Sequence, residues 1–355
     1  LTPDKTALVW CDDTEEHDKI FTFSDISRLS NKAANFFKAQ GVKKGDPVML
    51  ILKRNYQFWY IMPALHKIGA IAIPATYLLT KKDIVYRDNA ASVKAIVATN
   101  DENVLAHVEA SVDDSPTLEK LIMTNGRREG WISFDEEIEK YPDTFKRPEG
   151  EEATSNDDIM LMYFTSGTTG NPKMAAHCFT YPLGHIITAR FWHDLRDTDL
   201  HISVADTGWA KCAWGKLYGQ WICGAALFVY DMEKFVPIKL LEKISKHKVT
   251  SFCAPPTIYR FMMQEDITKF DLSSLRSCCL AGEPLSPDIY NKFKEITGIS
   301  MREGFGQSET VVALANFPWM TPKPGSMGKP SPGLGVDIIK ENGESCVAGE
   351  EGEIV

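Results

Sequence analysis

Apolar residues along this chain fall into two alternating textures: short runs of strand length, and stretches in which apolar positions recur every three or four residues. Runs at 7–10 and 20–23 predict a hairpin across the acidic turn at 12–18. Next, Ile26, Leu29, Ala33, Phe36 and Phe37 share one helical face, with Ser24 as the cap and Gly41 as the stop. The alternation then becomes regular: strand 46–52, helix 56–68, strand 70–74, helix 82–89, strand 94–98, helix 102–111 and strand 118–123. Residues 141–158 are charged and contain prolines, which predicts a loop. Beyond it come strand 159–164, helix 179–191, strand 200–204 and helix 209–221, then strands at 225–230, 249–254 and 275–280 separated by helices near 235–247, 257–264 and 286–296. Strands alternating with helices predict mostly parallel sheets covered on both faces. From Pro318 the texture changes to Pro and Gly turns with short strands at 336–340 and 353–355, a small antiparallel tail.

The 355 residues are enough for more than one core, and 44% hydrophobic with 25% charged residues is an ordinary globular mix. A net charge of −9 argues against a general nucleic-acid or anionic-membrane binder, so any anion site must be made locally. No apolar run reaches the length of a membrane span. The chain begins with Leu1 and shows no signal peptide, which reads as a fragment of a longer protein. The eight cysteines lack paired metal spacing such as C-x-x-C and most sit in apolar runs, so they read as reduced thiols of a cytoplasmic protein.

Against this background, 165–173 stands out: Thr165-Ser166-Gly167-Thr168-Thr169-Gly170-Asn171-Pro172-Lys173, directly after the apolar run 159–164. Glycines let backbone N–H groups turn onto an anion, hydroxyls donate further hydrogen bonds and lysine adds charge, a combination suited to a polyphosphate. Gly167 and Gly170 are too close for the common nucleotide P-loop, and Met174 follows the lysine. The string resembles the phosphate loop of the adenylate-forming superfamily, which includes acyl-CoA synthetases, aryl-CoA ligases, luciferases and peptide-synthetase adenylation domains. Ala281-Gly282-Glu283-Pro284 follows an apolar strand and is similar to that family's adenine-pocket segment. Glu303-Gly304-Phe305-Gly306-Gln307-Ser308-Glu309-Thr310 resembles its aromatic-Gly-Gln-Thr-Glu motif, with Phe305 in place of Tyr and Ser308 in place of Thr. Asp206-Thr207-Gly208-Trp209 and 324–330 resemble the acetyl- and medium-chain acyl-CoA synthetase branch.

The resemblance implies roles. Thr165, Ser166, Gly167, Thr168, Thr169, Gly170 and Lys173 would hold the β- and γ-phosphates of ATP. Gly282, Glu283, Pro284 and the segment from Glu303 through Gly304, Gly306 and Gln307 would shape the nucleotide site. Phe305 would face the adenine, Ser308 the α-phosphate, and Glu309 would bind Mg²⁺. Thr165, Lys173 and Glu309 would be this chain's share of the catalytic set. The family's ribose-binding Asp, hinge and small C-terminal domain with its adenylation lysine have no counterpart before Val355.

The expected architecture is therefore α/β: two packed subdomains with mostly parallel sheets, layered αβαβα, at 1–235 and 236–317, and a β-barrel-like tail at 318–355, together the large domain of an adenylating enzyme. The expected activity is that of an AMP-forming acyl-CoA synthetase, with ATP, a carboxylic acid and coenzyme A as its small-molecule partners. The oligomeric state stays open, a homodimer included. Two rivals remain: an adenylating domain that passes its acyl group to a carrier protein or amine, and a non-catalytic acyl-adenylate sensor. Trp209, Lys211, Trp214, Cys253 and Gly306 are expected around the acid. Gly306 replaces an acetate-pocket Trp and leaves space for more than two carbons. Lys211 either lies on the solvent face of its helix or points inward near Cys212 and Cys253. An inward ammonium would oppose a long alkyl chain and favour short-to-medium or branched acids.

Overall fold

A computed structural model describes residues 2–14, 18–166 and 170–355. The chain opens with β1 (Thr6–Asp12) and β2 (Lys19–Thr22), then leaves them to build a second sheet from β3 (Pro47–Ile51), β4 (Ile71–Pro74), β5 (Ala95–Thr99), β6 (Lys120–Thr124), β7 (Ile132–Ser133), β8 (Ile159–Thr165) and β9 (Lys173–Cys178). It returns to the first sheet with β10 (Leu200–Ser203), β11 (Ala226–Asp231), β12 (Ser251–Ala254), β13 (Ser277–Ala281), β14 (Arg302–Phe305), β15 (Leu314–Ala315) and β16 (Lys329–Pro330). The strand orders are β7-β6-β5-β3-β4-β8-β9 and β16-β15-β14-β13-β12-β10-β11-β1-β2. Pairing is parallel except at β8–β9, β1–β2, β14–β15 and β15–β16.

Period-two alternation explains how these sheets stack. On β3, Val48 and Leu50 enter a core between the two sheets, while Met49 and Ile51 enter a core on the outer side. On β1, Leu8 and Trp10 face the shared middle core, and Val9 and Cys11 face a third core beyond the other sheet. The helix Phe58–Ile68 is apolar almost all round because it is buried in the middle layer, beside Phe23–Ala39. The outer helix Pro237–Lys246 buries only Leu240, Leu241, Lys243 and Ile244. Each fully buried Leu or Phe contributes about 1.5–3 kcal/mol, so these stripes decide which way a helix faces. The result is five layers, helix-sheet-helix-sheet-helix, as expected.

Three expectations need correction. The first helix is capped by Thr22, not Ser24: Thr22 Oγ1 accepts from Asp25 N at 3.0 Å and Asp25 Oδ2 accepts from Thr22 N at 3.0 Å, a capping box that places the start two residues earlier. The division at residue 235 does not follow the sheets, because β1, β2, β10 and β11 all belong with β12–β16. The tail contributes β16 to a sheet edge and a separate antiparallel ribbon of β17 (Ile338–Ile339) and β18 (Glu353–Ile354). The helix predicted at 209–221 is two short ones, Ala210–Gly215 and Tyr218–Ile222, broken at Lys216 and Leu217.

Candidate active site

The glycine-threonine segment lies between the two strands of the β8–β9 hairpin. Its register ends on the pair Thr165↔Lys173, so the threonine and lysine that bracket the segment face each other across one rung. Ser166 and Lys173 are exposed, and Gly170 takes φ +125°, which glycine adopts without a Cβ clash. Gly167, Thr168 and Thr169 lie outside the described residues. Tyr86 anchors the hairpin by donating from its hydroxyl to Pro172 O at 2.8 Å, and Arg87 lies 5.1 Å over the Phe164 ring.

The second segment leaves the sheet at the end of β14 and meets the hairpin through His177 on β9. His177 Nε2 lies 2.8 Å from Ser308 O, and the imidazole stacks on Tyr181 with centroids 3.8 Å apart. Burial lowers the His177 pKa, with the Ser308 bond and the nearby Glu309 charge opposing it. The ring is therefore neutral at pH 7, and since a carbonyl only accepts, Nε2 carries the proton. Glu309 is exposed beside this joint. Its hard carboxylate oxygens, exposed to solvent, suit Mg²⁺.

The adenine-type segment is the neighbour of this one. Leu280↔Glu303 and Ala281↔Gly304 pair in parallel, so Gly282 and Phe305 emerge side by side at the carboxyl ends of their strands. Gly282 has φ +109° and open space where a Cβ would stand, so a flat ring can lie on its backbone. Pro284 is exposed. Glu283 turns to Arg260, 2.5 Å away, and accepts from Thr257 Oγ1 at 2.7 Å. Glu303 and Gly304 are buried in β14, burial pushing the Glu303 carboxyl up, while Gln307 is exposed.

Beneath these segments lies an aromatic floor. A Cβ on Gly304 would come within 2.6 Å of the Trp192 ring, and one on Gly306 within 2.1 Å of the Trp214 ring. Gly306 therefore does not open a pocket, as its small size suggested: Trp214 fills the space its side chain would take. Lys211 points inward, not to solvent, and its Nζ donates to Ala281 O at 2.9 Å. Burial lowers its pKa, opposed by the neighbouring Cys253, Glu283 and Cys279. Cys212 instead neighbours the buried Lys216. The structure thus brings Lys211, Trp214, Cys253 and Gly306 together. Trp209 stands apart, 57% exposed, at a cavity of about 400 Å³ that is also lined by Arg54, Tyr77, Asp206 and Lys216. Gly208 lets its segment lie directly on the end of β4, since a Cβ there would meet Ala75 and Thr76 backbone at 2.2 Å.

Sequence reasoning missed His177, Trp192 and Lys216. A single histidine past Lys173 carries no spacing signal, and β9 was not predicted because an edge strand reading Lys-Met-Ala-Ala-His-Cys lacks apolar alternation. Two glycines around Phe305 were the available hint of close aromatic neighbours. Lys216 is fully buried at the helix break; its Nζ donates to Ala205 O at 2.6 Å, its carbonyl accepts from Trp59 Nε1 at 2.9 Å, and burial lowers its pKa to about 8.

Comparison with known proteins agrees with this arrangement. A family model described as AMP-binding enzyme matches residues 1–355. Acyl-coenzyme A synthetase ACSM3, mitochondrial, of Homo sapiens is 40% identical over 356 residues, covering 99% of this chain and 59% of that protein. Acyl-coenzyme A synthetase ACSM4, mitochondrial, of Homo sapiens is 38% identical over 355 residues, covering 99% and 60%. Among solved structures, the anthranilate CoA ligase AuaEII in complex with anthranoyl-AMP matches with a TM-score of 0.91 at 28% identity, over 99% of this chain and 66% of that one. The Brucella canis acyl-CoA synthetase matches with a TM-score of 0.89 at 22% identity, covering 99% and 64%, a likeness of fold. The chain spans 59–60% of the length of the curated relatives it matches. By the match along its whole length, the chain belongs to the AMP-binding enzyme family.

Proposed function

We propose that these residues form the ATP- and acid-binding part of an AMP-forming acyl-CoA ligase that activates a short-to-medium or branched carboxylic acid. The observation that carries this reading is the joint at His177, which holds the hairpin of Thr165 and Lys173 against the segment Phe305–Glu309. The difficulty in joining a carboxylate to ATP is charge, since one anion must approach another. Thr165, Ser166 and Lys173 bind the β- and γ-phosphates, Gly282 and Phe305 receive the purine, and Ser308 lies toward the α-phosphate. Glu309 would hold Mg²⁺, which when bound neutralises phosphate oxygens as a Lewis acid. The carboxylate oxygen attacks the α-phosphorus, pyrophosphate leaves, and the thiol of coenzyme A then displaces AMP from the acyl carbon.

The names of the relatives favour coenzyme A as acceptor over a carrier protein, and the neighbour AuaEII pairs a CoA ligase with an acyl-adenylate. Acid size is argued from this chain's own residues: Trp214 closes the space beside Gly306, and Lys211 sets a cation among the walls. For location we propose a reducing compartment. Eight free thiols suit the cytoplasm first expected, and the names of the relatives point to mitochondria.

The test is calorimetric titration of ATP into the chain, and ATP–pyrophosphate exchange by the full-length protein with Glu309→Ala. Exchange should fall roughly a hundredfold, about 2.7 kcal/mol of transition-state stabilisation. Unchanged exchange, or no ATP binding, overturns the assignment. A panel from propionate to octanoate tests acid size separately, and best activity on octanoate would refute the short pocket while leaving adenylation intact.

A further inference from the structure

Away from the adenylate-type site, three side chains far apart in sequence meet at one edge of the nine-stranded sheet. Cys11 lies on β1, Asp18 immediately precedes β2, and His247 follows the helix Pro237–Lys246. One ligand atom from each lies within 4.8 Å of the other two. His247 Nε2 is 3.7 Å from Asp18 Oδ2, too long for a hydrogen bond. Yet the His247 side chain is only 10% exposed, and among the described residues its Nε2 has no hydrogen-bond partner. Phe228 braces the ring, with centroids 4.6 Å apart. A buried, oriented nitrogen with no protein partner has its lone pair free for a ligand. Two ligands about 2.0–2.2 Å from a tetrahedral ion stand roughly 3.4 Å apart, so the His–Asp spacing already fits and the thiol needs a shift of about an ångström.

We propose that Cys11, Asp18 and His247 bind a divalent metal of the zinc class, with water completing the tetrahedron. One sulfur, one imidazole nitrogen and one carboxylate oxygen suit zinc or cobalt and not magnesium, which takes hard oxygen donors. Without metal, burial holds the Cys11 thiol protonated, its pKa pushed up to about 12. On binding, the S–H bond breaks, the proton goes to solvent and a sulfur–metal bond forms. Thiolate, carboxylate and divalent ion then sum to zero, so the site goes from −1 to neutral and the occupied site presents no net positive charge to Lys243 and Lys246, whose fields reach Cys11. β1 lies five strands from β14 in the sheet, so this site is separate from the Glu309 segment. Bound metal ties the edge hairpin to the helix behind it.

The test is titration of cobalt(II) into the chelator-treated full chain. One equivalent should produce tetrahedral visible bands and a thiolate-to-cobalt charge-transfer band in the near ultraviolet, both displaced by zinc, and zinc should raise the melting temperature. Cys11→Ser should abolish the charge-transfer band, and His247→Gln should weaken binding tenfold or more. If Cys11→Ser fails to fold, the exposed Asp18→Asn serves in its place, keeping the band but losing tenfold or more in affinity. Absence of a thiolate band, its survival in Cys11→Ser, or affinity unchanged in both His247→Gln and Asp18→Asn overturns the proposal.

Discussion

A single missing methyl group at Gly306 fixes the floor of the site. The added Cβ of Gly306→Ala would sit 2.1 Å from a Trp214 ring atom and 2.5 Å from Val311 O, and both neighbours are packed. Overpacking of this kind costs roughly 1–3 kcal/mol, which urea denaturation would read. Trp214→Leu in the Gly306→Ala background should recover part of that loss; strictly additive losses would show that the two sites do not touch. Lys216 gives a second prediction. Its folded pKa is about 8 against an ordinary 10.5. Below pH 8 both states keep the proton and the burial penalty is in full force. From 8 to 10.5 the folded state gives up its proton first, so this group's contribution to stability rises with pH, by about 3 kcal/mol in all. Wild type should gain that much on Lys216→Met between pH 7 and pH 10.5, and a constant gap would refute the buried cation. Motif residues such as Thr165, Lys173 and Glu309 could be singled out in the sequence because the chemistry proposed for them is local. The fit of Gly306 to Trp214 was not, since a glycine does not write its neighbour into the sequence.

Among the elements, the β8–β9 hairpin bears most of the proposed phosphate site and was half read. Its first strand is an apolar run and was predicted; its second is an edge strand with exposed Lys173 and Met174, and periodicity passes over it. The same edge strand brings His177 to Ser308. His177→Leu should lower ATP–pyrophosphate exchange kcat/KM in the full-length protein roughly tenfold, about 1.4 kcal/mol. His177→Gln, which can still donate to the carbonyl, should keep most of the rate; equal rates in His177→Leu and wild type would show that the joint positions nothing. The predicted helix 179–191 also changes character, running as an α-helix over Tyr181–Ile186 and a π-helix over Ile187–Trp192. Its last residue is the ring against Gly304. Apolar periodicity cannot tell those two windings apart over so few residues.

For the molecule as a whole, the alternation of strands and helices revealed the layers, and residue pairs such as Val48 and Met49 facing different cores bear that reading out. Sheet membership was not legible, because pairing of β1 with β11 is a contact between distant stretches that no local pattern records. That pairing has a consequence for synthesis. Leu8 finds Leu227 only after some two hundred further residues have been made, roughly ten to forty seconds at ordinary elongation rates. Until then β1 and β2 have only each other, and an isolated two-stranded hairpin is marginal in water. The apolar face of Leu8 and Trp10 must wait outside the ribosome without its partner, which leaves the first strand of this chain waiting longer for a neighbour than any later strand of its sheet and makes it a natural client for a chaperone.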